Sequence, residues 1–180
     1  MKKKITLLLS LVLAVAIGIG GTLAWLTAKT DAVTNTFTVG NIDIALEETT
    51  TNYKMVPGQT IAKDPKVTVE GGSEACWLFV KITESGNLDD FISYTVDSGW
   101  TLLDGQAGVY YREVAATTGD VVYPVLTGNQ VTVKDTVTKA MMDEITAQTA
   151  SAPTLTFTAY AVQKEGVGTP TEAWAKAPTT

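Results

Sequence analysis

Histidine is absent from the 180 residues, and cysteine occurs once, at Cys76. Without imidazole, no side chain titrates near neutrality when unperturbed, and Ser-His-Asp triads, Cys-His pairs and the common zinc sites are excluded. A single cysteine excludes an internal disulfide, so the folded part must be held by its apolar core. Basic residues are sparse too: Lys and Arg total 13 against 19 Asp and Glu. Beyond the N-terminus they form no cluster, which argues against nucleic acid or anionic lipid as a partner. No internal repeat and no low-complexity linker divides the chain.

What is present begins with Met1-Lys2-Lys3-Lys4 and an apolar run from Ile5 to Ile19, the charged and apolar regions of a secretory signal. The run continues to Trp25 and Leu26, long enough to span a bilayer, so a retained anchor is the rival reading. Gly18, Gly20 and Gly21 weaken the last helical turn, and Thr22 and Ala24 put small residues at the cleavage positions. Cleavage between Ala24 and Trp25 is therefore expected, with cleavage after Ala28 as the other option. Losing the first 24 residues removes three lysines and no acid, taking the formal charge from -6 to -9. That acidity favours solubility outside a cell.

Threonine, valine and regularly placed glycines predict strands and turns, hence an all-β chain. Thr36 to Leu46 reads as a first strand whose alternation changes phase, which predicts a bulge at Gly40-Asn41. Val67 to Val69 is a short strand followed by a turn at Gly71-Gly72. Next, Cys76, Leu78, Val80 and Ile82 share one apolar face, with Trp77, Phe79, Lys81 and Thr83 on a mixed one, as in a two-layer sandwich. Leu88, Phe91 and Ile92 have helical spacing. Trp100 to Leu103, Val109 to Val114, Val121 to Leu126 and Gln130 to Lys134 are further strands. Asp135 reads as the N-cap of a helix bearing Val137, Ala140, Met141 and Ile145. Leu155, Phe157, Ala159 and Ala161 alternate with Thr156, Thr158, Tyr160 and Val162 in the clearest strand of the chain. Thr169-Pro170-Thr171-Glu172 has capping-box spacing, placing Trp174 on a short terminal helix. Roughly eight strands with two helical insertions predict a jelly-roll-type β-sandwich.

Little here resembles chemistry. The acid pairs Glu47-Glu48, Asp89-Asp90 and Asp143-Glu144 are neighbours in sequence, so their side chains diverge and make poor catalytic pairs. The loops "NLDD" and "TTGD" are oxygen-rich but lack the spaced acids of a calcium loop. Cys76 takes an inward strand position and reads as a small buried hydrophobe, with no Lys or Arg nearby in sequence to lower its pKa. Trp77, Phe79, Trp100, Tyr110, Tyr111 and Tyr123 read either as core and sheet-face residues or as a sugar-binding platform. No catalytic, metal or cofactor-binding residue is expected.

The export segment ending in "GGTLAW", followed by "FTVGNIDIAL", resembles the N-termini of the TasA and camelysin family. The stretches "MVPGQTIAKDPKVTVEGGSEACWLFVKI", "GWTLLDGQAGVYYREVAATTGDVVYPVL" and "LTFTAYAVQKEGVGTPTEAW" agree with it in family order. The resemblance implies export through a SipW-type signal peptidase and a jelly-roll domain that assembles into extracellular fibres of a Gram-positive biofilm matrix. It further implies head-to-tail self-assembly, in which the mature N-terminus is donated to a neighbour's sheet, with a minor anchoring protein as a second possible partner. On this sequence the donated segment would be about Trp25 to Phe37, with Trp25, Leu26, Val33 and Phe37 as anchors. Camelysin relatives are also described as metallopeptidases, but the missing histidine means that role does not carry over. The chain thus reads as a signal peptide at 1–24, an extended segment at 25–36 and a sandwich domain at 37–180. A secreted fibre subunit and a monomeric or membrane-anchored binding module are the two leading functions, with the membrane met only through an uncleaved signal.

Overall fold

The computed structural model describes residues 40–51 and 53–178. The signal segment, the cleavage positions Ala24 and Trp25, the anchors Leu26, Val33 and Phe37, and the whole 25–36 segment lie outside the described residues. Ten strands follow in chain order: β1 Ile44–Glu47, β2 Thr60–Ala62, β3 Lys66–Val69, β4 Cys76–Glu84, β5 Ile92–Ser93, β6 Thr101–Leu102, β7 Val109–Val114, β8 Val121–Pro124, β9 Gln130–Val133 and β10 Leu155–Gln163. The helices are α1 Leu88–Phe91, α2 Lys139–Thr146 and α3 Pro170–Trp174, with a 3-10 turn at Thr127–Asn129.

Every ladder is antiparallel, in the orders β1-β3-β8, β2-β9-β5 and β10-β4-β7-β6. The first two ladders share one pair of bent strands. Lys63 N–H donates to the Asn129 carbonyl and Val125 N–H to that of Pro65, both at 2.9 Å, so pairing continues across the bend at Pro65 and the 3-10 turn. The result is two layers, β1, β2–β3, β8–β9 and β5 facing β10, β4, β7 and β6, and the jelly-roll-type sandwich is what forms. Between them lie the fully buried Val67, Val69, Cys76, Leu78, Val80, Val125 and Val133, with Phe91, Trp100 and Leu126. Those on β3, β4 and β9 are the inward phases of their strands, as a period of two dictates.

Four expectations need correction. Strand β1 begins only at Ile44, and no strand covers residues 40–43; β1 is as long as its partner β3, register Ile44↔Val69 to Glu47↔Lys66, because a ladder extends only as far as both chains do. The outer face of β4 is not mixed at its start. Trp77 and Phe79 are buried there under Ala173 and Trp174 of α3, with Leu103, Val109, Tyr111 and Tyr160, in a second core. Helix α2 is capped by Thr138, whose hydroxyl accepts from Met141 N–H, and not by Asp135; Val137 is buried just before the helix. Among the described residues the elements are ten strands and three α-helices, because bends split two long strands. The N-cap of α3 forms as expected, with Thr169 Oγ1 accepting from Glu172 N–H and Pro170 in the first turn.

Candidate functional site

Side chains with catalytic potential are dispersed or already paired. Glu47 lies 3.9 Å from Lys66, Asp89 2.6 Å from Lys134, and Asp143 2.5 Å from Lys139 one helical turn earlier. In the two oxygen-rich loops, Asp120 accepts from Gly71 N–H at 2.9 Å and Asp89 is held by Lys134. Burial pushes the Cys76 thiol up to about 11, which leaves it protonated and unreactive at neutral pH. The six aromatics do not share a platform. Trp77, Phe79 and Tyr111 belong to the outer cluster under α3, whereas Trp100, Tyr110 and Tyr123 belong to the interior between the layers. Arg112 stacks on two of the latter, its guanidinium carbon 3.9 Å from the Tyr123 ring centre and 5.4 Å from that of Trp100.

Strand β10 is different in kind. It pairs with β4 over all nine residues in an unbroken register from Leu155↔Glu84 to Gln163↔Cys76, and among the described residues nothing pairs with its other side. Which backbone groups face that open side follows from the flanking bonds. Ser85 N–H donates to the Thr154 carbonyl and Lys164 N–H to that of Ala75, so the even-numbered residues bond to β4. The N–H and C=O groups of Leu155, Phe157, Ala159, Ala161 and Gln163 therefore point outward along the edge. The apolar side chains of Leu155, Phe157, Ala159 and Ala161 are the ones turned toward the interior.

A groove runs beside the first half of this edge. One cleft of about 450 Å³ lies between Met55, Ile61, Leu88, Ile92 and Val131 on one side and Leu155 on the other. A second, of about 350 Å³, lies between Leu46, Glu48 and Pro65 and the start of β10 at Leu155 to Phe157. Thr51, Lys63, Leu155 and Thr156 border both. Strand β1 forms the facing wall, coming within 8 Å of β10 (Cα–Cα) without bonding to it.

Lys63 is the residue at this site that sequence reasoning missed. It is 7% exposed, its Nζ lies 2.7 Å from Glu48 Oε1, and the Tyr53 and Phe157 ring centres are 4.8 and 5.3 Å away. Tyr53 Oη donates to the same Glu48 oxygen at 2.6 Å. Burial first, and then the Glu48 carboxylate, drive the Tyr53 phenol above its usual range, so it stays a donor at every ordinary pH. The signal was legible: Ile61, Lys63, Pro65, Val67 and Val69 alternate, and Lys63 occupies an inward phase of that series.

Fold and site together define a β-sandwich with a long sheet edge, unpaired among the described residues, beside a groove of mixed apolar and polar lining. Residues 1–87, a stretch that includes β1 to β4, match the family model described as camelysin metallo-endopeptidase, which agrees with the TasA and camelysin resemblance of the N-terminal part. The resembling stretches after residue 87 lie beyond the match. No curated protein and no solved structure matches the chain. The metal in that family description does not fit these residues. The chain has no histidine, its one thiol is buried, and no group of three His, Cys, Asp or Glu side chains among the described residues would hold an ion.

Proposed function

We propose that the protein is a secreted, non-enzymatic structural subunit that polymerises head to tail into extracellular fibres, each subunit adding its N-terminal segment as a strand to the next. The observation that supports this reading is the β10 edge: nine residues long, in continuous register, unpaired among the described residues and flanked by a groove that offers apolar side chains such as Met55, Ile61 and Ile92. An edge of this kind gains main-chain hydrogen bonds from an added strand and seats alternate side chains in adjoining pockets. The occupant is residues 25–37 of a second copy, with Trp25, Leu26, Val33 and Phe37 as the apolar anchors. Head-to-tail contacts of this type do not close on themselves, so they grow filaments. Cleavage between Ala24 and Trp25 by the export signal peptidase frees the donor segment.

Electron microscopy of the purified mature chain tests this reading. Filaments are expected from the intact protein, and a folded monomer from a chain lacking residues 25–36. Filaments formed equally well by the truncated chain would rule out an N-terminal donor. The family description favours a second reading, a peptidase, and hydrolysis of casein by pure protein that disappears with a chelator would establish it.

A further inference from the structure

We propose that Lys63 is a cationic latch holding the seam between β1 and β10 shut, and that its release from Glu48 is a step in strand addition. The proposal rests on the strand-acceptor reading of β10 given above. Its first ground is placement. Lys63 borders both clefts and so stands at the partition between them. Its ammonium touches both walls at once: Glu48 and the Tyr53 ring on the loop after β1, and the Phe157 ring on β10. Tyr53, donating to Glu48 from the same loop, keeps that carboxylate turned toward the lysine.

The second ground is width. Neighbouring strands stand about 4.8 Å apart, so a strand seated between two others holds them roughly 9.6 Å apart. Strand β1 comes within 8 Å of β10, which is too close for a third strand. Seating one there must widen the seam. That movement carries Glu48 and Tyr53 away from Phe157, and one short ammonium cannot follow both. A cation stacked on rings and paired with a carboxylate in a nearly dry site resists the separation more than an exposed pair would. The latch thus makes opening the slow step while leaving the final strand pairing unchanged.

The test uses the mature chain, a labelled peptide of residues 25–39, and two variants: Lys63→Met, which keeps length and loses charge, and Lys63→Met with Glu48→Gln, which also leaves no unpaired carboxylate. Peptide association by fluorescence anisotropy and the lag before filaments by light scattering are read at equal concentration. Both variants are expected to bind peptide about tenfold faster, equivalent to about 1.4 kcal/mol off the opening step, with a correspondingly shorter lag. Wild-type assembly with both variants unchanged or slower overturns the latch and leaves the acceptor edge standing. A wild-type chain that neither binds the peptide nor polymerises overturns the acceptor reading, and the latch with it. Thermal unfolding of the double variant guards against a mere folding defect, because its neutral pair leaves no buried charge unmatched.

Discussion

Proline placed at two adjacent positions of β10 should have opposite consequences. Thr158 pairs with Lys81 across β4, and as an even-numbered residue it directs its N–H into that ladder. In Thr158→Pro the bond is lost, an acceptor on β4 is stranded, and the ring pushes against the neighbouring strand, at a cost of about 3 kcal/mol or more. Ala159 directs its N–H outward, so Ala159→Pro removes a donor that no described residue uses. Its cost is limited to setting φ, about 1 kcal/mol, partly offset by a less flexible unfolded chain. At roughly 2–4 °C per kcal/mol for a domain of this size, Thr158→Pro should lower the melting temperature by about 10 °C and Ala159→Pro by only about 3 °C. Circular dichroism melts give these values, and electron microscopy of the same samples reports on polymers. Ala159→Pro should melt near wild type and yet form no filaments, because the ring occupies the path of the added strand. Equal destabilisation by the two variants would refute the assignment of inward and outward groups. A stable Ala159→Pro protein that polymerised normally would remove β10 as the acceptor.

Other perturbations follow from single contacts. Gly108 has φ +72, and an added Cβ would lie 2.5 Å from the Ile82 carbonyl oxygen, so Gly108→Ala should cost about 3 kcal/mol in a chemical denaturation series. Cys76 should resist a thiol reagent at pH 8 in the folded protein and react fully once denatured, since its pKa is raised to about 11 by burial. Asp64 accepts from Thr49 Oγ1 at 2.6 Å and Thr49 N–H at 3.0 Å, and these bonds lower its pKa below 3.8. A depressed carboxylate stabilises the fold above its unfolded pKa and loses that contribution as pH falls through the folded one. The Thr49 amide resonance should therefore shift at a lower pH than that at which an unperturbed aspartate titrates.

The parts of this fold that were legible in sequence are those governed by local rules. Alternation alone located β4 and β10, and the capping box located α3, because a strand's period and a helix's first turn are fixed within a few residues. Errors came where distant chain decides. The buried outer face at Trp77 and Phe79 depends on α3, about ninety residues later, with Trp77 Nε1–H donating to the Val167 carbonyl at 3.1 Å. The start of α2 passed from Asp135 to Thr138 because the backbone turns extended only there, at φ -98 and ψ 160. Lys63 lay in plain alternation, but its charge gave no hint that Glu48 and Tyr53 would meet it across a loop. The groove was invisible for a further reason: it exists because, among the described residues, β1 pairs with β3 and not with β10, a choice of neighbours that no single segment encodes.

That choice bears on what the edge is for. Soluble sandwiches blunt exposed edges with short strands, inward charges, prolines or bulges. The edge strands β5 and β6 follow this practice, with two residues each. Strand β10 does not: its register is continuous over nine residues, and it contains neither proline nor a charged residue. Its far face is meanwhile fixed by Tyr160 against Trp174, ring centres 5.3 Å apart, so the strand is a stiff template rather than a fraying one. A long, unbroken and uncharged edge is a liability in a monomer and an asset in a polymer. The lysine that lines the groove, Lys63, is already paired with Glu48 and leaves the strand itself uncharged. Placing the charge on β10 itself, as in Ala159→Lys, should convert the edge to the protected kind and abolish assembly while leaving the ladder to β4 intact.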